Sequence, residues 1–179
     1  MMHDLTDAAD RGGYIVATPT GYNLQGWYGA NGPRSPGTKP ENLGELSEKD
    51  VMNVLDLMRK EFLIDDHRIY LLGQSMGGGS AMHLGLKCSD IWAAVGLSAP
   101  AMSIQTPAML DNIKDMPVIL IHGTADTNVL TARIVPWADK MRDLKMQYEY
   151  YELPGVGHSD AIEKGAARIF AFFDKYSKP

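Results

Sequence analysis

Cysteine is nearly absent: Cys88 is the single one in 179 residues. A lone thiol cannot pair within its own chain, so no disulfide framework holds this fold. Long apolar runs are missing too. None reaches the roughly 20 residues that a membrane-crossing helix requires, and no membrane partner is expected. There is no cationic excess, since 17 Lys and Arg stand against 22 Asp and Glu, for a formal net charge of −5. Such a balance offers little to neutralise phosphates, and nucleic acid is not an expected partner. The sequence has no H-E-x-x-H and no Cys/His cluster, which argues against a metal. Gly77-Gly78-Gly79-Ser80 lacks the lysine and the spacing of a phosphate-binding loop. No cofactor is therefore expected. The start, Met1-Met2-His3-Asp4-Leu5-Thr6-Asp7, has neither a basic opening nor an apolar stretch. It reads against a signal peptide, which makes a cytoplasmic location the default; a trimmed piece of a secreted parent would read the same way.

What is present is 45% hydrophobic and 22% charged, the balance of a soluble globular chain. There is no internal repeat and no dividing linker, so residues 1–179 are expected to form one domain. The most loop-like stretch runs from Gly29 to Gly44, with Gly32-Pro33, Ser35-Pro36-Gly37 and Lys39-Pro40.

Around that loop, short apolar runs alternate with helical patterns. Strands are expected at Tyr14–Thr18, Arg68–Gly73, Ala93–Leu97, Pro117–His122 and Gln147–Leu153. A helix is expected over Ser47–Phe62, with Ser47 and Asp50 as a capping box and Val51, Val54, Leu55, Met58 and Phe62 on one face. Further helices are expected over Gly78–Cys88 and Thr131–Leu144. Ser159 can cap a last one that buries Ile162, Ala166, Ile169, Phe170 and Phe173. The last strand, Gln147–Leu153, alternates as if one face were wet; strand–helix alternation with near-continuous apolar strands predicts a three-layer α/β sandwich with a mostly parallel sheet. In such sheets the chemistry gathers at the carboxyl ends of the strands.

Three strand ends carry reactive residues. After the second strand comes Gly73-Gln74-Ser75-Met76-Gly77, a G-x-S-x-G. A strand turning at once into a helix strains the corner residue, lifts its hydroxyl above the sheet, and aims the next amide at a bound carbonyl oxygen. Somewhere in a chain of this length the pattern arises by chance roughly one time in twenty; its place between a strand and a small-residue helix makes it more specific. A serine hydroxyl needs a base, and the base needs an orienting group. His122-Gly123-Thr124-Ala125-Asp126 puts a carboxylate after the fourth strand, and Pro154-Gly155-Val156-Gly157-His158 puts a histidine after the fifth. Ser75, Asp126 and His158 are thus the candidate nucleophile, orienting acid and base, and the Met76 N–H is the candidate oxyanion donor.

The other histidines fit the base less well. His83 lies inside a helix, His67 precedes a strand at the wrong end of the sheet, His3 is terminal, and His122 abuts its strand and is expected to order the Asp126 loop. Asp160 follows His158 too closely to orient it, and Asp111 and Asp115 precede their strand. Gln74, Tyr22 and Trp27 are the expected substrate contacts at the active rim. Aromatic loop residues cover a core just as often.

Gly73-Gln74-Ser75-Met76-Gly77-Gly78, His122-Gly123-Thr124-Ala125-Asp126 and Gly157-His158 resemble the α/β-hydrolase superfamily. The nearest flavour is the small lidless esterases related to polyhydroxybutyrate depolymerases, feruloyl esterases and prolyl-oligopeptidase catalytic domains. Ile15-Val16-Ala17-Thr18-Pro19 resembles that group's fourth strand and loop, and the likeness runs from about Ala8 to Tyr176. It implies a serine carboxylic-ester hydrolase working through an acyl-enzyme on short-chain or accessible esters. It also implies three strands before Gly13, the third ending in a loop that donates the second oxyanion N–H. Only twelve residues precede Gly13, so the expected architecture is an N-terminally truncated α/β-hydrolase fold with a gap beside the Arg68–Gly73 strand. Three arrangements are open: the two flanking strands pair directly, another protomer of a homo-oligomer covers the surface, or the chain is a piece of a longer one. Two other functions stay in view, a non-catalytic binding or oligomerising module without a complete oxyanion hole, and a prolyl-oligopeptidase-like peptidase fragment.

Overall fold

Aliphatic runs flanked by glycine and turn residues make the sheet. The computed structural model describes residues 3–33 and 37–179; the Ser35-Pro36 part of the expected loop lies outside them. The strands are β1 Tyr70–Gln74, β2 Ala94–Ser98, β3 Val118–Gly123 and β4 Tyr148–Leu153. All neighbours pair in parallel in the order β1-β2-β3-β4. The register sets Gln74 beside Ser98, Ser98 beside Ile121, and Gly123 beside Leu153, which gathers the carboxyl ends of the strands at one rim.

The helices are α1 His3–Arg11, α2 Leu43–Glu61, α3 Met76–Lys87, α4 Thr131–Asp143 and α5 Ala161–Phe173, with 3-10 turns at Trp27–Gly29 and Pro107–Ile113. Because strand side chains alternate between faces, Leu71, Val95, Leu97, Val118 and Leu120 meet α3 and α4 on one side. Tyr70, Leu72, Ala94, Ile119 and Ile121 meet α5, with α1 behind it, on the other. Phe172 is fully buried and its ring centroid lies 4.7 Å from that of Tyr176. Phe172→Ala leaves a cavity that α5 cannot close, and is expected to cost about 3–5 kcal/mol. Urea unfolding measures it; a loss below about 1 kcal/mol would show the α5 layer to be loosely packed.

Three expectations need correction. Tyr14–Thr18 is not a strand. A strand exists through its ladder, and among the described residues no backbone hydrogen bond reaches Ile15, Val16, Ala17 or Thr18. The segment lies across a groove of about 540 Å³ from β1, with Ile15, Ala17, Tyr70 and Leu72 among its walls. The two flanking segments therefore do not pair directly, and β1 keeps an open edge. Secondly, α2 begins at Leu43, and Ser47 is not its cap. The Ser47 hydroxyl is buried, accepts the Tyr28 amide at 2.9 Å and donates to the Gly21 carbonyl, while Asp50 accepts the Gly21 amide at 2.9 Å. These side chains bind the 21–28 loop to α2. Thirdly, the last helix starts at Ala161, after Asp160, with no side-chain cap.

The N-terminal stretch, assigned no element from its polar composition, is helical. Leu5, Ala8 and Ala9 are buried against α5.

Candidate active site

A single residue joins β1 to α3. Ser75 makes that corner with φ 54° and ψ −118°, a conformation that costs a non-glycine residue of order 1–3 kcal/mol and persists only where its surroundings impose it. Here the Ser75 amide donates to the Ser98 carbonyl at 2.9 Å, and the Ser75 carbonyl accepts Ala101 N–H at 2.8 Å and Gly79 N–H at 3.0 Å. A Cβ at Gly73 would collide with the Gly77 carbonyl, and one at Gly79 with the Ala101 carbonyl. Gly77, the second glycine of the sequence pattern, has open space where a Cβ would sit. The sharp turn thus requires glycine at Gly73, and the approach of the Ala101 carbonyl to α3 requires it at Gly79. Met76 opens α3, so its amide has no carbonyl one turn earlier in the helix.

Asp126 lies in the turn after β3, with its side chain entirely out of solvent. One carboxylate oxygen accepts the Asn128 and Val129 amides at 2.8 and 2.9 Å. The other accepts His158 Nδ1 at 2.7 Å. Burial works to raise this carboxyl, but the Val129 amide, the His158 ring and the Asn128 amide outweigh it and hold it below the usual carboxylate range. A carboxylate at Nδ1 selects the tautomer with its proton there, which leaves Nε2 as the acceptor.

Hydrogen bonds stitch the two loops that carry this pair. Thr124 N–H donates to the Leu153 carbonyl at 3.0 Å, Ala125 N–H to the Val156 carbonyl at 3.0 Å, and Gly155 N–H to Thr124 Oγ1 at 2.9 Å. The His158 loop also meets the elbow, because Gln74 Nε2 donates to the His158 carbonyl at 2.6 Å. The rim thus gathers Ser75, Asp126 and His158. The pair at Asp126 is closed, while Ser75 Oγ makes no hydrogen bond among the described residues. Catalytic hydrogen bonds are often long until substrate binds.

His122 is fully buried, and among the described residues neither ring nitrogen has a hydrogen-bond partner. Its Nε2 stands 4.0 Å from Asp126, beyond hydrogen-bond reach, so the Asp126 loop is ordered by its own amides instead. Burial pushes the His122 pKa down, against the pull of the Asp126 charge. His83 pairs with Glu48 at 3.0 Å, and Lys87 with the same carboxylate at 2.6 Å. Tyr22 is 58% exposed. The Trp27 carbonyl accepts the Ser80 hydroxyl at 2.9 Å, which fixes the backbone of that loop on α3. Gln74, expected at the substrate, directs its amide to the His158 loop. Among the described residues no group of three or more His, Cys, Asp or Glu could hold a metal ion, and no helix is long and apolar enough to cross a membrane.

Comparison with known proteins agrees with this arrangement of elements. Residues 45–116 match the family model described as serine aminopeptidase, S33, and residues 102–179 match that of the prolyl oligopeptidase family. The chain is 29% identical over 140 residues to acyl-protein thioesterase 1 of Gibberella zeae, an alignment covering 75% of this chain and 59% of that protein. It is 30% identical over 119 residues to a bifunctional acetylxylan esterase/xylanase, XynS20E, of Neocallimastix patriciarum, covering 66% of this chain and 15% of that one. A thermostable esterase structure superposes with a TM-score of 0.64 at 18% identity, over 73% of this chain and 37% of the other. The chain therefore spans about three-fifths or less of the length of these relatives.

Proposed function

For a chain of the α/β-hydrolase superfamily with this rim, we propose a serine carboxylic-ester hydrolase. Ser75 Oγ attacks the ester carbonyl carbon while its proton passes to His158 Nε2. Asp126 stabilises the imidazolium through Nδ1. The Met76 amide, at the N-terminus of α3, receives the developing oxyanion. The tetrahedral intermediate collapses, the C–O bond breaks, and the leaving alkoxide takes the proton from His158. Water then attacks the acyl-serine while His158 again accepts a proton; as the acyl C–Oγ bond breaks His158 returns that proton to Ser75 Oγ, which releases the carboxylic acid and free Ser75. The observation that carries this reading is the 2.7 Å His158–Asp126 bond, on a loop tied to the residue directly before Ser75.

Between β2 and β3 the chain forms only the Pro107–Ile113 turn, so no cap domain is inserted there, and short or otherwise accessible acyl groups fit the proposal best. The test pairs a fluorophosphonate, which should add one phosphonyl group at Ser75 by mass spectrometry, with nitrophenyl esters of rising chain length. Turnover should fall from acetate and butyrate to palmitate. Absence of the adduct, or a clear preference for palmitate, would overturn the reading.

A second reading, amide hydrolysis, draws support from the match of residues 102–179 to the prolyl oligopeptidase family. Turnover of aminoacyl nitroanilides above that of nitrophenyl acetate would favour it.

A further inference from the structure

We infer that Gln74 is a positioning residue that sets the base over the nucleophile. The inference rests on the esterase reading above. Gln74 is the last residue of β1. Side chains along a strand alternate, and Tyr70 and Leu72 face the α5 layer, so Gln74 faces it too, at the rim where the chain enters α5. There its Nε2 donates to the His158 carbonyl at 2.6 Å and to the Ser159 carbonyl at 3.2 Å. Both carbonyls lie ahead of the first residue of α5, and no other hydrogen bond to them occurs among the described residues. One amide group therefore anchors two successive peptide units of the loop that carries the imidazole.

The anchor is attached to the elbow itself. Gln74 and Ser75 share a peptide bond, and Ser75 is fixed by hydrogen bonds to Ser98, Ala101 and Gly79. Asp126 fixes the ring at Nδ1, which sets its tautomer and leaves the main chain of residues 158–159 free to shift along the rim. Gln74 removes that freedom. Two constraints, one on the ring and one on the backbone, hold Nε2 toward the hydroxyl. A displacement of about 1 Å at such a place lowers turnover by as much as about 10²-fold.

Two variants test this. Gln74→Met keeps the length and removes both donors; Gln74→Lys restores a donor. With nitrophenyl acetate, Gln74→Met is expected to lower kcat about 10- to 100-fold with KM within about twofold and an unchanged thermal midpoint. Gln74→Lys should recover most of kcat. The Nδ1 proton resonance of His158 is expected to be sharp in the unaltered protein and to broaden in Gln74→Met. A rise in KM at constant kcat would make Gln74 a substrate contact instead, and a collapsed thermal midpoint in both variants would reduce it to a structural part. Either result overturns the inference, as does an unchanged Nδ1 resonance in Gln74→Met. If the unaltered protein neither turns over esters nor takes up the fluorophosphonate, the esterase reading fails, and the resonance alone then decides whether Gln74 holds the loop.

Discussion

Alanine at position 75 is expected to reduce ester hydrolysis at least about 10³-fold, to the level set by binding and the oxyanion amide alone. The size follows from what is removed. In the proposed mechanism the Ser75 hydroxyl forms the acyl bond, and without it no acyl-enzyme arises. The fold should survive, because the corner is held by the backbone of residue 75, through its bonds to Ser98, Ala101 and Gly79. Circular dichroism should superpose on that of the unaltered protein, and fluorophosphonate labelling should vanish. Residual turnover within about tenfold would mean that the observed hydrolysis did not pass through Ser75, and would favour a non-catalytic module.

Asp126→Asn is expected to have the second large effect, a loss in kcat of about 10³- to 10⁴-fold with KM little changed. Asparagine is nearly isosteric and can still accept the Asn128 and Val129 amides. Toward His158, however, its amide presents N–H where the carboxylate presented a lone pair. The imidazole then moves its proton to Nε2 and ceases to be a base for Ser75. Stability supplies an independent check. The Asp126 carboxyl is held below the usual range in the folded chain, so its contribution is present above the unfolded carboxylate pKa of about 3.9 and is lost as pH falls through the folded value. The unaltered protein should therefore unfold at higher urea than Asp126→Asn at about pH 5, with the gap closing toward about pH 2. A gap that widens on acidification in that window would contradict the hydrogen bonding at Asp126.

Much of the sheet is legible in the residues themselves. β2 and β3 announce themselves as apolar runs because both faces are covered, β4 shows as an alternation with one wetter face, and Ser75, Asp126 and His158 stand out because each lies in the segment that leaves the carboxyl end of a strand. Apart from the start of the last helix, what stayed hidden turns on partners remote in sequence. Ile15-Val16-Ala17-Thr18 has the composition of a strand, but composition does not supply a ladder. Ser47 has the chemistry of a cap, yet its hydroxyl joins the Tyr28 amide to the Gly21 carbonyl. Leu5, Ala8 and Ala9 make too narrow an apolar stripe to reveal a helix until α5 is there to receive it. Gln74 reads as one more polar residue at a rim, because the carbonyls it serves lie 84 and 85 positions away.

The dihedral angles of Ser75 set a conflict between durability and chemistry. Glycine would occupy φ 54° and ψ −118° without the penalty a Cβ incurs. Selection for resistance to unfolding alone would thus favour glycine at this corner and erase the hydroxyl with it. That serine stands there means the protein tolerates a permanently tensioned joint, and the tension relaxes only when the reactive group is given up.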